Sequence, residues 1–351
     1  MERRSAPALV SDRISARDRD SKLKRLAARA EQFAASAQAP NTRRAYASAL
    51  RMFESYCQKN RLAFMPSAPQ TYVLYLTHLS ELGRKMSTIR VHAAAIRDAH
   101  VGAGLRSPGD DTFAKRFMDG LENEIGEPPV KKDALTFDLL LLATKSMPRK
   151  TLREKRDRAI VLLGFALSAR RSEIAAINVG DLTFERNGLV VKTRKSKTDR
   201  KGKGHDRGVP RLANPDLCAV RAVKAWMSAA GITRGALFRT FSMKNELQSN
   251  RIDPYDVARA VQRVTGKSLE GDFAAHSLRS GYITSAARAG IGVPEIMHHT
   301  NHKSMDTVLG YVQRAKILDD PGLSKIERAS EAIDESNETR PKTKRRTRTS
   351  S

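Results

Sequence analysis

The chain has 351 residues, enough for two domains with separate cores, and carries 64 Lys and Arg against 38 Asp and Glu, a net charge of +26. Such an excess opposes compaction unless a polyanion neutralises it, so nucleic acid is the first partner to consider; an aromatic content of 5% points to phosphate contacts on double-stranded DNA rather than base stacking. No apolar run approaches the roughly 20 residues of a membrane span, and the opening MERRSAPALVSDRISARDRD lacks a signal-peptide core, which argues against a membrane partner and for a cytoplasmic, nucleoid-associated location.

Residues 1–25 are polar, charged and without a clear apolar period, and read as a flexible basic arm. From Asn41 an Asn-Thr cap opens a helix with Tyr46, Ala49, Leu50, Phe53, Tyr56 and Cys57 at helical spacing. Pro66 and Pro69 punctuate the chain before a second helix, marked by Tyr72, Val73, Leu76, Leu79 and Leu82 and ended near Gly83. Ser87 caps a third, with Ile89, Ala93 and Ile96 on its apolar side and Arg90, Arg97 and His100 on the other. A fourth runs from about Asp111 to Glu124 with Phe113, Phe117 and Leu121 inward. These helices make residues 26–126 one small all-helical domain.

Residues 127–133, with Pro128, Pro129, Lys131 and Lys132, form a stiff basic linker and the clearest domain boundary. Beyond it, residues 136–147 and 151–168 read as helices, the second strongly apolar, and its end carries Arg170, Arg171 and Glu173. Two arginines where a core helix stops are out of place in a solvated charge run, although an Arg170 to Glu173 surface pair is the bland alternative. Arg186-Asn187-Gly188 signals a hairpin between Leu182–Phe184 and a strand from Leu189 that runs into a basic tip containing Lys195, Lys197, Lys201 and Lys203; Gly208–Leu212 returns. This is a small antiparallel β-sheet in an otherwise mainly α chain. Asn214-Pro215 opens a helix to about Ala230 with Trp226 inward, Leu237–Arg239 is a short extended piece, and Pro254 starts a helix to Val264. Cys57 and Cys218 lie in separate apolar patterns and read as buried free thiols.

The stretch from His276 to Tyr311 carries the chemistry. His276 and Arg279 are three apart and share one helix face, Asn301-His302 follows an Ala-rich run, and Ser304 caps a closing helix from Met305 to Arg314 that presents Tyr311. Histidines, an arginine and a phenol suit phosphoryl transfer through a tyrosyl intermediate, while each of them taken singly is more often an ordinary helix-surface group. His298 and His302 are also spaced like zinc ligands on a helix, but no glutamate and no third ligand accompany them, so no metal is expected. A capping box at Ser324 and Glu327 begins a short amphipathic helix within 319–336, and residues 337–351 form a basic, disordered tail.

Taken in order, Arg170 with Glu173, Lys197 in the hairpin, His276-x-x-Arg279, His302 and Tyr311 resemble the tyrosine recombinases of the phage integrase family, over roughly residues 40–318. The resemblance implies a helical core-binding (SAM-like) domain followed by an α+β catalytic domain at 134–318. It implies a site-specific DNA recombinase acting through a 3′-phosphotyrosyl bond, with no cofactor and no metal. Tyr311 would be the nucleophile, Arg170 and Arg279 the phosphate ligands and Lys197 the proton donor to the leaving 5′-oxygen. His276 would take the phenolic proton, His302 would hydrogen-bond the phosphate, and Glu173 would support the first arginine and His276. A homo-tetramer on paired DNA sites and accessory DNA-bending proteins are further implications of the resemblance. Two positions depart from the family pattern: Ser168 and Asn301 stand where Gly is usual, and Asn tolerates left-handed backbone angles. The arm is too short for a separate arm-site-binding domain. The competing readings are a type IB topoisomerase, which shares the chemistry without synapsis, and a catalytically silent DNA-binding relative.

Overall fold

The computed structural model describes residues 16–36, 38–127, 132–193, 205–266, 268–316 and 327. The chain divides into two compact units, Met1–Val130 and Lys131–Ser351.

The first unit holds α1 (Ala16–Ser36), α2 (Pro40–Asn60), α3 (Pro69–Glu81), α4 (Met86–Gly102) and α5 (Thr112–Ile125). Residues 16–25, expected in the arm, are the start of helix α1, a helix rich in Ala, Arg, Lys and Leu, all good helix formers, whose Leu23, Leu26 and Phe33 are exposed. The core of the unit joins Phe53 and Cys57 of α2, Tyr72, Tyr75, Leu76 and Leu79 of α3, Ile89 and Ile96 of α4, and Ala114 and Leu121 of α5. Each such large side chain contributes about 1.5–3 kcal/mol relative to exposure.

Three local expectations change. Helix α2 is entered through Ala39 with Pro40 in its first turn, and α4 through Lys85, so neither the Asn-Thr pair nor Ser87 is the cap. Phe113 is exposed rather than inward, because Asp111 caps the backbone N–H groups of Phe113 and Ala114 and the inward face then runs Ala114, Phe117, Leu121. His100 is buried rather than on the polar side: it lies four residues after Ile96, in phase with the apolar face, and its ring bridges the Ile96 carbonyl (2.8 Å) and the Ser67 N–H (3.1 Å).

The second unit is built around α7 (Leu152–Ala166), opened by a Thr151 and Glu154 capping box and buried on nearly every side. It packs against α9 (Ala219–Ala230), α10 (Pro254–Thr265) and α11 (Ala275–Arg288); α6 (Phe137–Lys145) and α8 (Arg171–Ala176) flank this layer. A side chain on Gly164 would collide with Ile174 and Leu278, so glycine there allows α7 to approach α11 closely. Strands β1 (Leu182–Phe184), β2 (Gly188–Thr193) and β3 (His205–Pro210) form an antiparallel sheet in that order, with Val191 opposite Arg207 and Thr193 opposite His205. Strand β3 starts earlier than Gly208 because Asp206 and Arg207, which resemble tip residues in composition, pair with Lys192 and Val191. A second hairpin, β4 (Arg239–Phe241) and β5 (Leu247–Arg251), escaped the sequence reading since LQSNR is polar and almost wholly exposed.

Helix α9 begins at Ala219 rather than after Asn214, whose side chain instead accepts from the Asp216 N–H and closes a separate turn. Helices α12 (Val293–Thr300) and α13 (Met305–Lys316) then pack on α11 through Ile283, Ala286, Ala287, Ile296 and Val308. Cys57 and Cys218 are buried free thiols. No described helix is long and apolar enough to cross a membrane. The expected basic tip with its lysines, the basic tail and, apart from Glu327, the 319–336 helix lie outside the described residues.

Candidate active site

The site is organised by the end of α7. A helix leaves its last carbonyls without intrahelical partners, and here three consecutive ones accept from three different elements. The Ala166 carbonyl takes His299 Nε2 of α12 (2.8 Å), Leu167 takes Arg207 Nη1 of β3 (2.6 Å), and Ser168 takes Arg279 Nη1 of α11 (2.7 Å). The chain reverses at Ser168, which has φ +47°, with the Ala169 N–H returning to Gly164. This left-handed angle is one that a glycine, the residue expected at this position, adopts most readily; the serine hydroxyl is buried and has no hydrogen-bond partner among the described residues.

Arg170 immediately follows as the N-cap of α8. Its Nη1 donates to Glu173 Oε1 (2.9 Å) and its backbone N–H to Glu173 Oε2 (3.2 Å), so one carboxylate fixes both the turn and the guanidinium. The Arg170 side chain is 26% exposed, whereas Arg279 is 2% exposed. Arg279 donates its other terminal nitrogen to the His302 ring (3.0 Å to Nε2), and burial, reinforced by the nearby Arg170, pulls its pKa down to about 10, leaving it protonated at neutral pH.

His302 is placed by Asn301, which ends α12 at φ +52°, the left-handed conformation anticipated for an asparagine in a glycine position. Thr300 Oγ1 lies 2.6 Å from His302 Nδ1. Burial, then Arg279, Arg170 and His276, push the His302 pKa down to about 4, so the ring is neutral in the DNA-free protein at physiological pH. One turn before Arg279 on α11, His276 faces α13, and its Nε2 is 2.9 Å from the Tyr311 hydroxyl. His276 is exposed and Tyr311 half-buried, so the pair is reachable from solvent.

The structure therefore brings together Arg170, Glu173, His276, Arg279, His302 and Tyr311 from the α7–α8 turn, the α12–α13 turn and helices α8, α11 and α13, while Lys197 lies outside the described residues. Glu173 pairs with Arg170 and with Arg207, whereas the buried Arg279 makes no ion pair among the described residues, and that uncompensated charge beside a phenol and a neutral histidine fits a phosphate diester. Among the described residues no cluster of three or more His, Cys, Asp or Glu fits a metal ion. His298, one of the two histidines in the zinc-like spacing, instead packs edge-on against His205 (ring centroids 5.4 Å). Arg207, His299 and Thr300 are contributors that motif reading passed over. Of these Arg207 left a signal, since it shares strand phase with the inward Val209.

Residues 139–316 match the phage integrase family. The chain is 32% identical over 307 residues to an integrase/recombinase XerD homolog of Selenomonas ruminantium, covering 86% of this chain and 90% of that one. It is 24% identical over 298 residues to the Cre recombinase of Escherichia phage P1, covering 76% and 82%. Among solved structures, the Tn1549 transposon integrase in complex with transposon right end DNA superposes with a TM-score of 0.56 at 15% identity, covering 86% of this chain and 98% of that one. A lambda integrase dimer bound to a COC′ core site gives 0.51 at 18% identity, covering 81% and 75%. At those identities the structural likeness speaks for the fold alone.

Proposed function

This chain belongs to the phage integrase family of tyrosine recombinases, and from that premise we propose how its residues break and rejoin DNA. It is a site-specific recombinase. Tyr311 attacks the scissile phosphorus; the new bond joins its phenolic oxygen to phosphorus, and the bond from phosphorus to the 5′-oxygen breaks. His276 accepts the phenolic proton, which is otherwise held because free tyrosine titrates near about pH 10. Lys197 supplies a proton to the departing 5′-oxygen. Arg170 and Arg279 hold the nonbridging oxygens, and His302 hydrogen-bonds one of them once the phosphate is in place. Glu173 positions Arg170. The reverse reaction by a different 5′-hydroxyl rejoins the strand and releases Tyr311, so the diester energy is conserved and no nucleotide cofactor is consumed.

The 2.9 Å contact between the Tyr311 hydroxyl and His276, one turn from the buried Arg279, is the observation that carries this reading. Four copies act on a pair of double-stranded sites in the cytoplasm, at the nucleoid, with DNA-bending accessory proteins, in the movement of a mobile element. The first experiment is Tyr311→Phe on a nicked suicide duplex. The variant retains DNA binding and forms no covalent adduct; an adduct band from Tyr311→Phe contradicts the nucleophile assignment.

A further inference from the structure

Arg207 is a cation buried in strand β3, 5% exposed, paired with the buried Glu173 and outside the five proposed catalytic side chains on described elements. Burying a guanidinium is costly unless its donors are used, and here both terminal nitrogens are used across three segments, while Nε has no hydrogen-bond partner among the described residues. Nη1 donates to the Leu167 carbonyl (2.6 Å); Nη2 donates to Glu173 Oε2 (3.2 Å) and to Thr193 Oγ1 (2.9 Å). Leu167 belongs to the turn that delivers Arg170, and Glu173 is the carboxylate that grips Arg170. Thr193 is the last residue of β2, paired with His205, the first of β3. The planar fork of one side chain thus ties the root of the hairpin to the arginine-bearing turn.

The root matters because Lys197 is four residues beyond Thr193. Four residues span at most about 14 Å when fully extended, so the position of Thr193 bounds where the lysine ammonium can reach. A guanidinium suits this latch better than an ammonium, since its donors diverge in one rigid plane and keep their proton when buried.

We propose that Arg207 is a positioning residue for the proton-donating step: by holding Thr193 against Glu173 and Leu167, it sets the hairpin lysine relative to Arg170. The inference rests on the reading of a hairpin lysine as the donor to the 5′-oxygen. General acid catalysis contributes roughly 10²–10⁴-fold, and loosening the hold on the acid forfeits part of that.

The test uses the full chain and two suicide duplexes, one with an ordinary phosphodiester and one with sulfur in place of the 5′-bridging oxygen, whose thiolate leaves without a proton. Thr193→Val removes the hairpin end of the latch while conserving shape and leaving the Arg207 to Glu173 pair in place. Arg207→Lys keeps the charge and loses the fork. Both variants bind the half-site as the parent does, cut the phosphodiester on the order of tenfold more slowly, and cut the sulfur substrate at the parent rate; Thr193→Ser restores the phosphodiester rate. Should Arg207→Lys fold poorly, Thr193→Val alone decides. Parent rates on both substrates, or equal slowing on both, overturn the proposal. Lys197→Ala reports separately on the underlying reading: slow on oxygen and rescued by sulfur supports Lys197, whereas parent-like behaviour beside a rescued Thr193→Val transfers the role to another hairpin lysine and leaves the latch intact.

Discussion

Helix α7 has buried arginines at both ends, and they are handled in opposite ways. Near its start, Arg156 donates from Nε and Nη2 to Asp157 Oδ1 (3.1 and 2.9 Å), and Asp157 Oδ2 accepts from Arg263 (2.6 Å), while the Arg156 plane lies over the Phe241 ring. That cluster is closed: both carboxylate oxygens are occupied, and the charge is compensated where it is buried. Beyond the other end, Arg279 is just as buried, yet among the described residues it makes no ion pair, only bonds to a carbonyl and a neutral imidazole, with Arg170 and Arg207 close by. A fold that needed only stability would give Arg279 a carboxylate or an apolar replacement. The difference marks one cluster as structural and the other as waiting for an anion.

The sharpest way to break this contrast is to neutralise each arginine in turn. Arg279→Gln, which removes the charge and keeps a neutral amide, lowers single-turnover cleavage by about 10³-fold, the scale of a lost transition-state contact. Its DNA-free thermal midpoint stays at or above the parent's, because an uncompensated buried charge is gone. Arg156→Gln does the reverse: unfolding free energy falls by about 3 kcal/mol as Asp157 loses half its partners, and cleavage well below the melting temperature is unchanged. A large stability loss in Arg279→Gln, or a cleavage loss in folded Arg156→Gln, removes the distinction.

Smaller effects refine it. Ser168→Gly relieves the left-handed strain and deletes a buried unpaired hydroxyl, and denaturant unfolding shows a gain of about 1 kcal/mol. A loss instead means that the serine side chain holds the turn. The open cluster also predicts an acid sensitivity. His302 has a folded pKa of about 4, below its unfolded value of about 6.5. Between those values the unfolded chain binds more protons than the folded one, so the stability from keeping this ring neutral is present above about pH 6.5 and is lost as pH falls toward about 4. His302→Gln flattens the fall of melting temperature over that window; His92 and His299, lowered in the same direction, leave a residual slope.

Periodicity made the helical framework legible, because α2 and α3 bury residues at the spacing their apolar side chains announce, while the continuous apolar run of α7 announces a helix buried all round. Order and residue type likewise made the six candidate residues on described elements legible, since His276 and Arg279 share a helix face by spacing alone. What stayed hidden follows from where the information resides. Polarity misplaced His100, which its phase with Ile96 turns inward and whose ring is satisfied there by the Ser67 N–H, a partner 33 residues away in the chain. Strand β5 is exposed and polar, so no alternation reveals the hairpin it forms with β4. The carbonyls at the end of α7 and in the turn after it, which gather His299, Arg207 and Arg279, are backbone atoms and carry no sequence signature at all. Ser168 and Asn301 show the opposite case: both hold the left-handed backbone angle that the expectation of glycine at their positions implies.

The most direct measurement replaces one nonbridging oxygen of the scissile phosphate with a methyl group, giving an uncharged methylphosphonate, and compares cleavage by the parent protein and by Arg279→Gln. If Arg279 is the buried cation that this phosphate neutralises, the variant that fails on the charged diester cuts the neutral one and attaches it through Tyr311. Equal failure of Arg279→Gln on both substrates would mean that the guanidinium is there for another purpose.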